Sequence, residues 1–211
     1  MIYEKTRDGD QWYDVYSRLV KDRVVFLSGE EGINSDDATA LSATLLYLNH
    51  QNKVKPISIY INSPGGSVSD GLFTIYDTMQ FIEAPIKTVC MGEACSAGAV
   101  LLAAGTKGSR LAFENSTIMI HELQIGGMSG TASEIERESE RVKRLNHKII
   151  QTIAAHSGQS VEKVKADVKN DFYLTAEEAV AYGLIDGLVK KSKTLPNTVE
   201  KVKKINNKQK V

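Results

Sequence analysis

Met91-Gly92-Glu93-Ala94-Cys95-Ser96-Ala97-Gly98 sets one serine among small residues, between a β-rich run (Pro85 to Cys90) and an apolar helical run (Ala99 to Ala104). A serine at a strand-to-helix turn can expose its hydroxyl while the first amides of the helix point at whatever binds there. Acyl-transfer nucleophiles are presented in this way. The match to the pattern G-x-S-x-G is partial: Gly98 stands two after the serine, but Ala94 replaces the glycine two before it. Small residues at such a junction also serve close packing, so the neighbouring segments decide the reading.

Upstream, strands and helices alternate. Arg23 to Leu27 reads as a buried strand. Asn34-Ser35-Asp36-Asp37 opens a helix to about Asn49, with a capping side chain and acids at its positive end. Ile57 to Ile61 is a second strand, followed by the turn Asn62-Ser63-Pro64-Gly65-Gly66 and a helix over about Ser69 to Ile82. Pro85 starts the strand leading to Ser96. This alternation predicts right-handed crossovers and a largely parallel sheet with helices on its faces. Further strands are expected at Arg110 to Phe113, Thr117 to His121 and Leu184 to Val189, and a short amphipathic helix at Asp10 to Val20. Thr131-Ala132-Ser133-Glu134 is a capping box opening a long helix to His156, stopped at Gly158. Its apolar stripe (Ile135, Val142, Leu145, Ile149, Ile153) is thin, so the helix should project and need a partner to cover it. Ser160 caps a helix to about Lys169. Thr175-Ala176-Glu177-Glu178 caps another that Gly183 closes.

The chain has 211 residues, 42% of them hydrophobic and 25% charged. That suits residues 1–189 as one domain with a full core, and 190–211 as a lysine-rich tail expected to be mobile. Lysines and arginines (26) balance acids (26), but from Lys190 onward there are eight lysines and one acid, Glu200. The zero net charge gives no support to nucleic-acid binding. No apolar run approaches a membrane span, and Met1-Ile2-Tyr3-Glu4-Lys5 does not start a signal peptide. Cys90 and Cys95 form no metal-binding or disulfide pattern. We therefore expect a cytoplasmic protein without a metal.

A serine nucleophile needs a base, and the base needs an orienting acceptor. Among four histidines, His50, His147 and His156 read as surface or helix-end residues. His121 ends the apolar strand Thr117-Ile118-Met119-Ile120-His121, where sites form in open α/β sheets. Ser96 also follows its strand, so the two can meet. Spacing does not choose among Asp167, Asp171 and Asp186, although Asp171 precedes the apolar run Phe172-Tyr173-Leu174 that could bury one side of it. The Gly65-Gly66 turn lets backbone amides approach a substrate carbonyl. It lacks the Gly-Lys-Ser/Thr that a phosphate loop requires.

Six segments in order resemble the ClpP family, the proteolytic subunits of ATP-dependent Clp proteases. They are Tyr13-Asp14-Val15-Tyr16-Ser17-Arg18-Leu19, Tyr60-Ile61-Asn62-Ser63-Pro64-Gly65-Gly66, Ile75-Tyr76-Asp77-Thr78-Met79-Gln80-Phe81-Ile82, Cys90-Met91-Gly92 to Ser96, Met119-Ile120-His121, and Ala179-Val180-Ala181-Tyr182-Gly183-Leu184-Ile185-Asp186. The resemblance covers about residues 4 to 189. It implies a crotonase-like α/β fold with a protruding handle helix at about 124–157. It also implies serine endopeptidase activity in two stacked heptameric rings, fed with unfolded polypeptide by a hexameric AAA+ ATPase. The chain itself would use no cofactor; ATP would serve the ATPase alone. Ser96 falls on the family's nucleophile, His121 on its base and Asp171 on its aspartate. The amides of Gly66 and Ala97 fall on its oxyanion hole, and Gly126 and Gly127 on its substrate-strand region. Tyr60, Phe81, Val89, Leu111 and Phe113 fall near its unfoldase-docking patch.

The chain also departs from that pattern. His121-Glu122-Leu123 stands where His-Gln-Pro is usual, with one extra residue before Gly126-Gly127. Gly71-Leu72-Phe73-Thr74-Ile75 is one residue longer than usual, and Asn170 replaces a common arginine. The alternatives are a non-catalytic ring subunit that scaffolds an active paralogue, and a crotonase-type acyl-CoA enzyme.

Overall fold

The computed structural model describes residues 1–6, 9–29 and 31–190; the lysine-rich tail beyond Lys190 lies outside them. The first two elements are not those expected. β1 (Ile2–Thr6) and β2 (Gly9–Tyr13) pair antiparallel, and the short helix α1 (Val15–Lys21) begins only after Asp14. Asp14 is the cause: its Oδ1 accepts the Ser17 N–H at 2.9 Å, which fixes the helix start there. Trp12 therefore lies in a strand, opposite Tyr3 with ring centroids 5.0 Å apart.

The expected alternation follows. β3 (Val24–Ser28), α2 (Ser35–Gln51), β4 (Ile57–Ser63), α3 (Phe73–Phe81) and β5 (Ile86–Cys95) build three parallel neighbours with helical crossovers. In β4, Ile57, Ile59, Ile61 and Ser63 are buried and alternate with more exposed residues, which is the period of a pleated strand. Asn34 caps α2 as expected, accepting from Asp36 and Asp37 while Asp37 bonds back to its backbone. Such boxes contribute on the order of 1 kcal/mol each.

The helix expected from Ser69 is divided. Val68–Leu72 forms a π-helical turn in which Leu72 N–H donates to Ser67 O at 2.8 Å and Phe73 N–H donates to Val68 O. Phe73, Ile75 and Met79 stay on the buried face of α3.

β5 ends at α4 (Ala97–Ala103), all seven residues of which are buried. A helix covered on every side must be apolar on every side, as Ala-Gly-Ala-Val-Leu-Leu-Ala is. β6 (Arg110–Ala112) pairs parallel with the first half of β5 and β7 (Thr117–Ile120) with its second half. The long helix α5 (Ala132–Ser157) starts at Thr131 and stops at Gly158 as read from sequence. No residue before Ile149 in it is buried, and Ile135 is exposed, so its first half projects from the core. After α6 (Val161–Asp167), β8 (Phe172–Thr175) pairs antiparallel with β7; the sequence had shown it only as a short apolar run. α7 (Ala176–Tyr182) and β9 (Gly187–Leu188) complete the chain, giving the order β3-β4-β5-β6-β9 with β7 and β8 alongside. β9 is shorter than the strand expected from Leu184, because the Leu184 N–H instead closes α7 by donating to Ala179 O at 3.0 Å. Among the described residues no helix is long and apolar enough to cross a membrane.

Asp186, one of the three carboxylates left open by spacing, is structural. It meets the buried guanidinium of Arg110 at 2.7 and 2.9 Å and also accepts the backbone N–H groups of Gly108 and Arg110. Burial pushes its pKa up, but these hydrogen bonds outweigh burial and hold it below the usual carboxylate value. Arg110 also donates to the carbonyl of His156 at 2.8 Å, tying β6 to the end of α5. Asp186→Ala should therefore destabilise the fold by about 3–5 kcal/mol, by leaving a buried cation unpaired. Urea denaturation would measure it, and a loss under about 1 kcal/mol would show that the pair carries no such role. His156, read from sequence as a helix-end residue, is half-buried and lies 3.0 Å from the Tyr76 hydroxyl. Burial, with the nearby Arg110, lowers its pKa.

Candidate active site

Two strand registers place the candidate groups. Cys95 pairs with Met119 across the parallel β5 and β7, so Ser96 and His121 leave the same sheet edge almost side by side. The Ser96 N–H donates to Met119 O at 2.8 Å, fixing the turn to β7. Across the antiparallel β7 and β8, Ile120 pairs with Phe172 and Met119 with Tyr173. One further step along that register sets His121 opposite Asp171, and directly opposed residues share a face of the sheet.

The side chains meet accordingly. His121 Nε2 is 2.8 Å from Ser96 Oγ. His121 Nδ1 is 3.5 Å from Asp171 Oδ1, longer than a good hydrogen bond, and is a buried nitrogen with no hydrogen-bond partner among the described residues. Ser96 has φ +53° and ψ −120°, in a region that non-glycine residues rarely adopt. Strain of this kind, of order 1–3 kcal/mol, persists where surrounding structure holds it. Here the Met119 hydrogen bond and the buried α4 do so, and the hydroxyl is thereby turned toward the imidazole.

The glycine turn passes directly over the serine. Gly65 has φ +123°, and a β-carbon there would stand 2.7 Å from Ser96 Cβ and 3.2 Å from its Oγ. At Gly66 a β-carbon would lie 2.3 Å from the backbone of Ile33. Ile33 donates to Gly65 O at 2.7 Å and accepts from Ser67 N–H at 2.8 Å. In that parallel pairing the N–H of Gly66 points away from Ile33. Ala97, first in α4, has no intrahelical acceptor for its own N–H. Both residues line a cavity of about 330 Å³ together with Ser96, His121 and Asp171. Backbone amides aimed at a serine–imidazole pair can stabilise a developing oxyanion. Gly65→Ala should lower peptide-hydrolysis kcat by about 10²-fold or more, since sub-ångström displacement of reacting groups is costly. Near-normal kcat in a folded variant would show that the turn does not position Ser96.

The remaining candidates are placed as follows. Asp167 is engaged by Lys163 at 2.7 Å and by the Tyr182 hydroxyl at 2.8 Å, and does not line the cavity. Gly126 and Gly127, expected along a substrate strand, lie beyond the wall of the cavity, which is built from Glu122 to Gln124. Tyr60, Val89 and Leu111 form one row across β4, β5 and β6. Val89 is 1% exposed in the middle of that row, so it presents no docking surface. Phe81 at 77% and Phe113 at 43% are exposed. Cys95, beside the serine, is buried, as is Cys90. Burial pushes both thiols up to about 11, so neither supplies a thiolate at neutral pH. The π-helical turn at the cavity's edge carries no local pattern that separates it from the continuous helix expected from Ser69.

The protein-family model described as Clp protease matches residues 7–192. That span contains every element from β2 to β9 and both sides of the cavity, and on this match the chain belongs to the Clp protease family.

Proposed function

We propose that the chain is a serine endopeptidase working through Ser96, His121 and Asp171. The observation that carries this reading is the 2.8 Å contact between His121 Nε2 and Ser96 Oγ at a cavity lined by Gly66 and Ala97, whose amides would receive the oxyanion. His121 Nε2 takes the proton of Ser96 as Oγ attacks the scissile carbonyl. The tetrahedral oxyanion accepts from the two amides. On collapse the C–N bond breaks, His121 returns the proton to the leaving amine, and an acyl-enzyme remains. Water, deprotonated by His121, then releases the acid and regenerates Ser96. Asp171 holds the ring and balances its positive charge. Leu72, Val100, Ile149 and Ile153 line the same cavity and favour a nonpolar side chain beside the cleaved bond.

The family supports a wider proposal: two stacked heptameric rings, a hexameric AAA+ ATPase delivering unfolded polypeptides, and action in the cytoplasm. The half-projecting α5 with exposed Ile135 suits a helix covered by another copy, and exposed Phe81 and Phe113 suit a docked partner. One observation favours a second reading, a non-catalytic ring subunit: among the described residues the Nδ1 atom of His121 has no hydrogen-bond partner.

A fluorophosphonate separates the two. Under the peptidase reading it adds to Ser96 in the wild-type protein, as located by peptide mass spectrometry, and His121→Ala abolishes the reaction. An unlabelled wild-type assembly would overturn the peptidase reading in favour of the scaffold.

A further inference from the structure

The cavity at Ser96 continues into a second hollow of about 550 Å³. Gly66, Val68, Leu123 and Gln124 border both, so the two form one trough. One wall is the π-helical turn, which brings Ser69 and Asp70 to the rim. The other is the segment after His121, from Glu122 to Ile125. Both walls carry a carboxylate.

The charges along this trough do not cancel. Glu122 and Asp171 line the first part, Asp70 and Arg141 the second. Arg141 donates to Glu138 at 2.9 and 2.6 Å, so its charge is largely offset within α5, while its other terminal nitrogen donates to Ser69 Oγ at 3.3 Å on the opposite wall. Asp70 is met by the Ser67 hydroxyl, a neutral donor. Glu122 is exposed and forms no ion pair among the described residues. Its own N–H donates to Val168 O at 2.9 Å, which pins its backbone at the mouth beside His121. An extended peptide advances about 3.3 Å per residue. Side chains within two or three positions of the cleaved bond therefore pass these carboxylates.

We infer that the trough selects polypeptide segments carrying lysine or arginine beside the scissile bond and discriminates against acidic ones. Glu122 is the principal specificity-determining carboxylate and Asp70 the second. This deepens the peptidase reading and rests on it. Charges of this kind, partly solvated and several ångströms apart, change relative rates by about 5- to 10-fold each at low salt.

The test uses the full-length protein and three fluorogenic peptides identical except for Lys, Gln or Glu next to a nonpolar residue at the cleaved bond. Ratios of kcat/KM are taken within each variant, so changes in overall rate cancel. The wild-type Lys-to-Glu ratio should be about 25-fold or more, and should contract at about 1 M salt, where screening acts over about 3 Å. Glu122→Gln should reduce the ratio about 5- to 10-fold and Asp70→Asn by a smaller factor. Equal hydrolysis of the three peptides by the wild type, or an unaltered ratio in Glu122→Gln, would overturn this inference while leaving the peptidase reading intact. Failure to cleave any of them, with Ser96 unlabelled by a fluorophosphonate, would remove both.

Discussion

Ser96→Ala is expected to lower kcat/KM for a short fluorogenic peptide by about 10⁴- to 10⁶-fold, because nucleophile and base act as a unit. Without Oγ no acyl-enzyme forms. What remains is the electrostatic help of the Gly66 and Ala97 amides to attack by water, which keeps residual activity above the uncatalysed rate. The fold should survive. The hydroxyl's hydrogen-bond partner is His121 Nε2, and the φ of +53° is borne by alanine about as it is by serine. Thermal unfolding should therefore shift by only a few degrees while hydrolysis falls to that residual level. Loss of less than tenfold in a pure, folded sample would show that another group performs the attack.

The second large effect is expected at Asp171. Removing the carboxylate by Asp171→Ala should cost about 10³- to 10⁴-fold in kcat with little change in KM, because its partner, the imidazolium, exists only as the reaction proceeds. The 3.5 Å gap to His121 Nδ1 is longer than the 2.7–2.9 Å of a charge-assisted hydrogen bond. Asp171 is about half-exposed immediately before β8. Asp167→Ala is the control: it removes a carboxylate bound to Lys163 and Tyr182, away from the cavity, and should leave kcat within about twofold. Equal effects of the two substitutions would mean that Asp171 does not orient His121.

Much of the architecture was legible because its causes are local. The caps at Asn34, Thr131, Ser160 and Thr175 bond to amides within three residues of themselves, so their pattern is written in consecutive letters. The alternation of β4 and the all-apolar run of α4 report burial directly. The N-terminal hairpin was misread because Trp12, Val15, Tyr16 and Leu19 have helical spacing, but the cap at Asp14 breaks that series after Trp12. β8 was missed because four residues with only Leu174 buried carry too little periodicity to separate a strand from a loop.

Local sequence thus determined an alternating, mostly parallel sheet, a serine at a strand-to-helix turn, a glycine turn nearby and a long helix with an uncovered face. Only the tertiary structure decided how these come together: that Asp171, which spacing alone did not single out, lies 3.5 Å from the imidazole, that Val89 is covered, and that the wall after His121 brings Glu122 to the cavity. The reason is that strand pairing is non-local. Ser96, His121 and Asp171 lie on three segments whose relative position is set by the β5–β7 and β7–β8 registers, and slipping either by one residue would turn the paired side chains to opposite faces.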